Sequence, residues 1–477
     1  MLRRSLSVLL LLATAMFVGC PGESYDAIVG QWNGMLDVSV TQLRIRFNFS
    51  VEEGKLVATI DSPDQNATRI PVQEVSWDGG RVKMKAMTIY AEFEGEVGED
   101  SVLRGTWKQG QQEFPLALAR VPERAAFARP QDPGDSVPYL VDDNVRFENR
   151  PARISLSATA TRPEPEGVYP GVMLISGSGP QDRNSEVFGH RPFAVLADHL
   201  TREGVFVLRY DDRGVERSGG KFEEATPDDF ASDVNAGVRY LERRKDVDDG
   251  RIGLIGHSEG GILAAMVASQ AKEVKFIVLL ATPAVPGEQT LYLQGEALMR
   301  ANGASEEAIS GNQRIQRAIF DVVKQGLEPD ETYRRVVGAI EEEMAKLPEE
   351  TQQLLSAELT PQAVDAQARA VSTEWFRDFI TFDPADALRK VKVPVLALYG
   401  GKDLQVPPGP NVEALRAAMR RAGNSDLTVV ELPGLNHLFQ TADKGTVDEY
   451  SRIEETFAPA AMDAVADWID ERFGNPE

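Results

Sequence analysis

In this 477-residue chain, the residues best suited to covalent chemistry lie in Gly256-His257-Ser258-Glu259-Gly260. A hydroxyl is a poor nucleophile until a base takes its proton, so Ser258 needs a histidine within reach. A lone G-x-S-x-G is a weak signal, because ordinary composition produces it by chance. Its setting makes it specific. The motif follows the apolar run 252–255 and precedes the helix-forming Ile262-Leu263-Ala264-Ala265-Met266-Val267. Such a strand–turn–helix jump strains the serine backbone and lifts its hydroxyl above a sheet. Gly256 and Gly260 are needed because side chains there would meet the neighbouring strand and helix.

The chain has four histidines: His190, His199, His257 and His437. After the apolar run 393–398 comes Tyr399-Gly400-Gly401-Lys402-Asp403, a glycine turn ending on a carboxylate. After the run 427–430 comes Leu432-Pro433-Gly434-Leu435-Asn436-His437. Both loops follow buried strands, and open α/β sheets gather their sites at the carboxyl ends of strands. The order Ser258, Asp403, His437 supplies a nucleophile, an orienting acid and a base. Asp403 would hold the His437 tautomer and stabilise the imidazolium. Asp383 is a rival acid, but it precedes its strand. His257 is expected to pack inside the turn. Two backbone N–H groups are needed for an oxyanion. Glu259 supplies one, and Ser178 the other, from the loop Ser176-Gly177-Ser178-Gly179-Pro180. Gly177 lets that backbone approach a substrate closely. Gln181-Asp182-Arg183-Asn184 reads as an internal salt-bridged turn that shapes the loop, or else as a solvated loop.

The elements that position these residues begin at about 145. Continuous apolar runs at 171–175, 205–208, 252–255, 276–280, 393–398 and 427–430 alternate with helical stretches such as 228–244 and 412–422. This pattern marks strands buried on both faces of a mostly parallel sheet. The sheet text occupies 145–286 and 385–477, interrupted by a helical lid at 287–384. In the lid, Asp330 is placed to cap a helix carrying Val336, Ile340, Met344 and Leu347 on one face. Its last segment crowds Trp375, Phe376 and Phe379 together, as lid core or as a substrate pocket. Residues 123–144 read as a Pro-rich linker. Before it, over 24–122, the apolar period is two. Leu43-Arg44-Ile45-Arg46-Phe47 is one such run, and Asp78-Gly79-Gly80 is a hairpin signal after Val75-Ser76-Trp77. About eight such strands predict a small antiparallel barrel or sandwich, with Trp32, Trp77 and Trp107 in its core.

The N-terminus places Arg3 and Arg4 before an apolar run, 6–19, ending at Cys20. A basic n-region, a short apolar h-region and small residues at a cleavage site read as a secretory signal over 1–20. Cys20 is the one cysteine, so no disulfide or thiolate metal site is available. No Cys/His cluster has zinc spacing, and no dinucleotide or Walker fingerprint is present, so neither metal nor cofactor is expected. A net charge of −23 argues against nucleic acid as a partner.

Residues 177–184, Arg209-Tyr210-Asp211-Asp212-Arg213-Gly214, the Ser258 turn with Gly261, Gly401-Lys402-Asp403 and Asn436-His437 together resemble a bacterial α/β-hydrolase family. The family is described as serine aminopeptidase-like or dienelactone hydrolase-like, and its better-studied members are carboxylesterases. The resemblance covers about 145 to the C-terminus. It implies an α/β-hydrolase fold with a helical lid, and cleavage of small carboxylic esters through an acyl-enzyme. A peptidase or acyl thioesterase is the alternative, and a non-enzymatic surface-binding lipoprotein the third reading. Glu216-Arg217-Ser218 departs from the family's usual Gly-Lys-Ser. Arg213 reads as a structural ion-pair residue. The segment before Cys20 resembles a lipoprotein signal, with Phe17 where Leu is usual. It implies a lipid anchor on Cys20 and a cell-envelope location.

Overall fold

The computed structural model describes residues 25–474, except 26, 38–41, 53–54, 63–66, 99–100, 110–111, 122–128, 135, 165, 223, 350 and 353–360. The expected export segment, with Cys20, lies outside the described residues. The chain forms two compact units, divided between residues 126 and 127.

The first unit is one antiparallel sheet of nine strands among the described residues, against about eight expected. They are β1 (Gly30–Asp37), β2 (Gln42–Glu52), β3 (Lys55–Ser62), β4 (Ala67–Pro71), β5 (Glu74–Trp77), β6 (Arg81–Ala86), β7 (Ala91–Val97), β8 (Val102–Gln109) and β9 (Gln112–Val121). Pieces as short as β4 and β5 hold too few residues to display a period. The order β4-β3-β2-β1-β9-β8-β7-β6-β5 puts β4 and β5 at opposite edges. Only Val72 and Gln73 connect them. The Val72 N–H donates to the Ala58 carbonyl of β3, and the Gln73 N–H to the Lys85 carbonyl of β6. A two-residue link between opposite edges obliges the sheet to roll up, which favours a barrel over a sandwich. Inward alternation fills it with Trp32, Phe47, Phe93 and Trp107.

The second unit carries an eight-stranded sheet: β10 (Tyr139–Asn149), β11 (Ile154–Pro163), β12 (Tyr169–Ile175), β13 (Phe206–Tyr210), β14 (Val247–His257), β15 (Val274–Leu280), β16 (Val395–Gly400) and β17 (Leu427–Leu432). Their order is β10-β11-β13-β12-β14-β15-β16-β17. β11 runs antiparallel to both neighbours, and the remaining pairs are parallel. Two cores flank the sheet. Helices Pro227–Glu242, Glu259–Ala268 and Pro408–Ala422 cover one face, and Pro192–Arg202 with Pro459–Phe473 the other. Strands such as β12 and β15 are buried on both faces, which is why they read as unbroken apolar runs.

Two boundaries differ from the sequence reading. The expected linker 123–144 overlaps β10, whose alternation is hidden by an acidic stretch and a register break between Asp142 and Val145. Within the expected linker, the Arg129 and Gln131 side chains donate to the Ile453 and Phe457 carbonyls, which makes these residues part of the second unit. In the helical insertion, the helix Pro329–Ala345 has Glu328, not Asp330, at its N-cap. Pro329 at the first helical position sets that boundary, and Asp330 sits in the first turn, where a carboxylate still suits the helix dipole. The insertion comprises helices Gly287–Ala301, Glu306–Val323, Pro329–Ala345, Pro361–Val371 and Glu374–Thr381 among the described residues. They share a core of Ile315, Ile319, Phe320, Val336 and Ile340.

Candidate active site

Ser258 stands between β14 and the helix Glu259–Ala268, with φ 54° and ψ −121°. This is a sparsely populated conformation for a residue with a side chain, and it persists because the surroundings over-determine it. The Ser258 N–H donates to the Leu280 carbonyl at the end of β15, 2.8 Å away. A Cβ on Gly256 would overlap the Gly260 carbonyl, one on Gly260 would overlap the Ile175 and Ser176 carbonyls, and one on Gly261 would strike the Thr282 hydroxyl. Three glycines thus allow strand, turn and helix to close on each other.

Asp403 and His437 come together from the loops after β16 and β17. His437 Nδ1 lies 2.8 Å from Asp403 Oδ2. A carboxylate only accepts, which assigns the proton to Nδ1 and leaves Nε2 as the basic nitrogen. Asp403 Oδ1 accepts the Gln405 and Val406 N–H groups at 2.9 and 2.8 Å, so both oxygens are held. Both side chains are buried. The rival Asp383 accepts from Ala385 N–H and faces Arg389, as the start of a short helix requires.

His257 packs within the turn. Its ring centroid is 4.7 Å from that of His437, and its Nε2 meets the His437 carbonyl at 2.9 Å. Burial, and then the neighbouring His437, push its pKa down to about 3, so it stays neutral. The loop after β12 lies against the same turn. A Cβ on Gly177 would sit 3.3 Å from the Ser258 Cβ and 3.5 Å from His257 Nδ1. Beyond Gly177, the Ser178 hydroxyl lies near the Glu259 carboxylate, whose pKa burial pushes up while that hydroxyl pulls it down. Glu259 also opens the helix, where N–H groups have no intrahelical acceptor.

One organising residue had no role in the sequence reading. Asp212, just past β13, accepts from the Ser176 hydroxyl at 2.9 Å and from the Gln181 N–H at 3.0 Å. Its own N–H donates to the Gln181 carbonyl. It therefore brackets the loop 176–181 at both ends, and burial pushes its pKa up to about 8. Its sequence traces were its position at a strand end and its place in the run 209–214 that carries the family resemblance. The adjoining turn is salt-bridged, with Arg183 on Asp211 at 2.6 Å. Arg213 pairs with Asp233 at 2.6 Å and Asp229 at 3.2 Å, as a structural ion-pair residue should.

A cavity of 460 Å³ opens beside Glu259, walled by Ile262, Leu263, Val285, Phe379 and Phe382. Of the three aromatics expected as lid core or substrate pocket, Phe379 lines it. Phe376 does not; its ring packs on Phe320 in the insertion's core, 5.9 Å between centroids. The helical period places residues 376 and 379 on neighbouring but different contacts, a distinction that clustering alone does not reveal. The Trp375 side chain lies outside the described residues. No group of metal-binding side chains, and no helix long and apolar enough to cross a membrane, occurs among the described residues.

A sheet ordered in this way, with a strained serine at a strand–helix turn and a carboxylate–histidine pair on later strands, defines an α/β hydrolase. The profile described as "Alpha/beta hydrolase family" matches residues 172–449, and the chain belongs to this family. It is similar to the esterase EstD of Thermotoga maritima, 25% identical over 337 residues that cover 70% of each chain. An uncharacterized 31.7 kDa protein of Escherichia coli is 24% identical over 221 residues, 45% of this chain and 68% of that one. Among solved structures, the Pyrococcus furiosus esterase Pf2001 is similar at TM-score 0.42 and 17% identity, covering 74% of this chain and 99% of that one. Est1E of Butyrivibrio proteoclasticus, bound to ferulic acid, gives TM-score 0.39 and 20% identity, over 69% of this chain and 100% of that one.

Proposed function

We propose that the protein is a carboxylesterase that uses Ser258, His437 and Asp403 as a catalytic triad. The observation that carries this reading is the Asp403–His437 hydrogen bond, in the same loop cluster as a serine held at φ 54°. The name of the relative EstD supports the ester as substrate. In the first half-reaction, His437 Nε2 takes the Ser258 proton as Oγ attacks the ester carbonyl, and then returns it to the departing alcohol. Water, activated by the same nitrogen, clears the acyl-enzyme in the second half. The backbone N–H groups of Ser178 and Glu259 are the donors for the oxyanion.

A fluorophosphonate probe tests the nucleophile: it labels the native protein at Ser258, and a Ser258→Ala variant neither labels nor turns over nitrophenyl esters. Amide turnover exceeding ester turnover on matched aminoacyl-nitroanilides and nitrophenyl esters would instead establish a peptidase. For the N-terminal segment we propose export and lipid attachment at Cys20, supported by the basic residues and apolar run before it. Palmitate incorporation that persists in a Cys20→Ser variant would refute the attachment.

A further inference from the structure

The cavity that Glu259 lines, one residue past Ser258 in the chain, combines an apolar wall with a one-sided charge. Its carboxylates are Glu224, Glu259, Glu374 and Asp378, and no Lys, Arg or His is among the described residues that line it. Three of the four have a cation close at hand: Glu224 pairs with Lys221, and Glu374 and Asp378 with Arg377. Glu259 differs. The contact that bears on its charge is with a neutral hydroxyl, that of Ser178. A partly buried carboxylate without a cationic partner carries a desolvation cost that a ligand cation can offset.

Its position matters as much. Glu259 follows Ser258 directly, so their Cα atoms are about 3.8 Å apart. An acyl group on Ser258 that extends into this cavity passes the Glu259 carboxylate within a few bonds of the carbonyl. An anionic acyl group meets like charge in a low-dielectric space, whereas a cationic one meets its counter-ion. The same carboxylate stands near the amides that receive the developing oxyanion, and a substrate cation offsets its repulsion there in the transition state.

We propose that this cavity selects acyl groups by charge, favouring a protonated amine over a neutral chain and excluding a carboxylate, with Glu259 as the specificity-determining residue. The proposal rests on the ester-hydrolase reading.

The test uses three nitrophenyl esters of matched length: 4-aminobutyrate, pentanoate and hemisuccinate. On the full-length protein, kcat/KM falls in that order, and the first exceeds the last by at least roughly tenfold. In Glu259→Gln, whose amide oxygen can still accept from Ser178, the cation-to-anion ratio drops by at least roughly tenfold. Glu374→Gln, at a residue paired with Arg377, moves the ratio by less than about threefold. A flat panel in the native protein, or an unmoved ratio in Glu259→Gln, overturns the proposal. The native panel needs no variant to fold. Fluorophosphonate labelling separates the two readings: labelling with a flat panel removes charge selection alone, while no labelling and no turnover removes the hydrolase reading itself.

Discussion

Replacing Asp212 by Asn probes the buried bracket under the loop 176–181, proposed above to bind the oxyanion. In the folded protein this carboxyl is raised from 3.8 to about 8, chiefly by burial. The folded state therefore keeps a proton that the unfolded chain has lost. Stability is undiminished below the unfolded value, falls as pH rises toward about 8, and is level above it. The whole shift corresponds to roughly 6 kcal/mol, a ceiling that local relaxation lowers. Asn reproduces the protonated acid: its amide can donate to Ser176 Oγ, and its oxygen can accept the Gln181 N–H. The variant thus keeps both contacts of the loop 176–181 without the pH penalty. Urea or thermal unfolding between pH 5 and 9 reads this directly. Native and variant proteins already differ by about 1–2 kcal/mol near pH 5 and diverge further upward, with Asp212→Asn more stable by several kcal/mol at pH 9. In a unit of this size that is roughly 1–2 °C in Tm for each kcal/mol. Every other titrating group cancels in the difference between the two curves. Parallel curves across the range would refute the assignment, as would an Asn variant that loses as much as Asp212→Ala.

Asp403→Asn directs an amide N–H at His437 Nδ1, which forces the proton onto Nε2 and removes the base. We expect kcat to fall by roughly 10⁴ with little change in KM, and a loss under tenfold would move the orienting role elsewhere. Phe379→Ala enlarges the cavity and shifts the preferred acyl chain to greater length. Phe376→Ala leaves that profile alone and costs about 2–3 kcal/mol in unfolding, since its ring packs on Phe320. His257 is neutral over the working range, so His257→Gln lowers activity without moving the acid limb of the pH–rate profile. A displaced limb would make His257 a titrating partner.

Much of the second unit was legible in advance because parallel strands buried on both faces, such as β12 and β15, appear as unbroken apolar runs. β10 and β11 were not. One carries exposed acidic residues and a register break, and the other is rich in small and hydroxylated residues, so neither period nor hydropathy marks them. Strand identity there comes from pairing, of β10 with β11 and of β11 with β13, the latter a contact between distant parts of the chain. The helical insertion was legible as a whole, but its N-cap at Glu328 was decided by the proline that follows it.

Within the candidate site, residue type and order singled out Ser258, Asp403 and His437 unaided, because a glycine-flanked serine between strand and helix and a carboxylate and histidine after later strands are local patterns. Tertiary structure decided what local patterns cannot hold. It paired Asp403 with His437 across 34 residues, set Asp212 under a loop 31 residues before it, and put Phe379 rather than Phe376 on the cavity. It also left Glu259 beside that cavity with a hydroxyl for company instead of a cation. Spacing along a chain records which elements form. Burial, charge compensation and hydrogen-bond closure depend on what the fold brings alongside, and those are the quantities that set the surroundings of Ser258 and of the pocket beside Glu259.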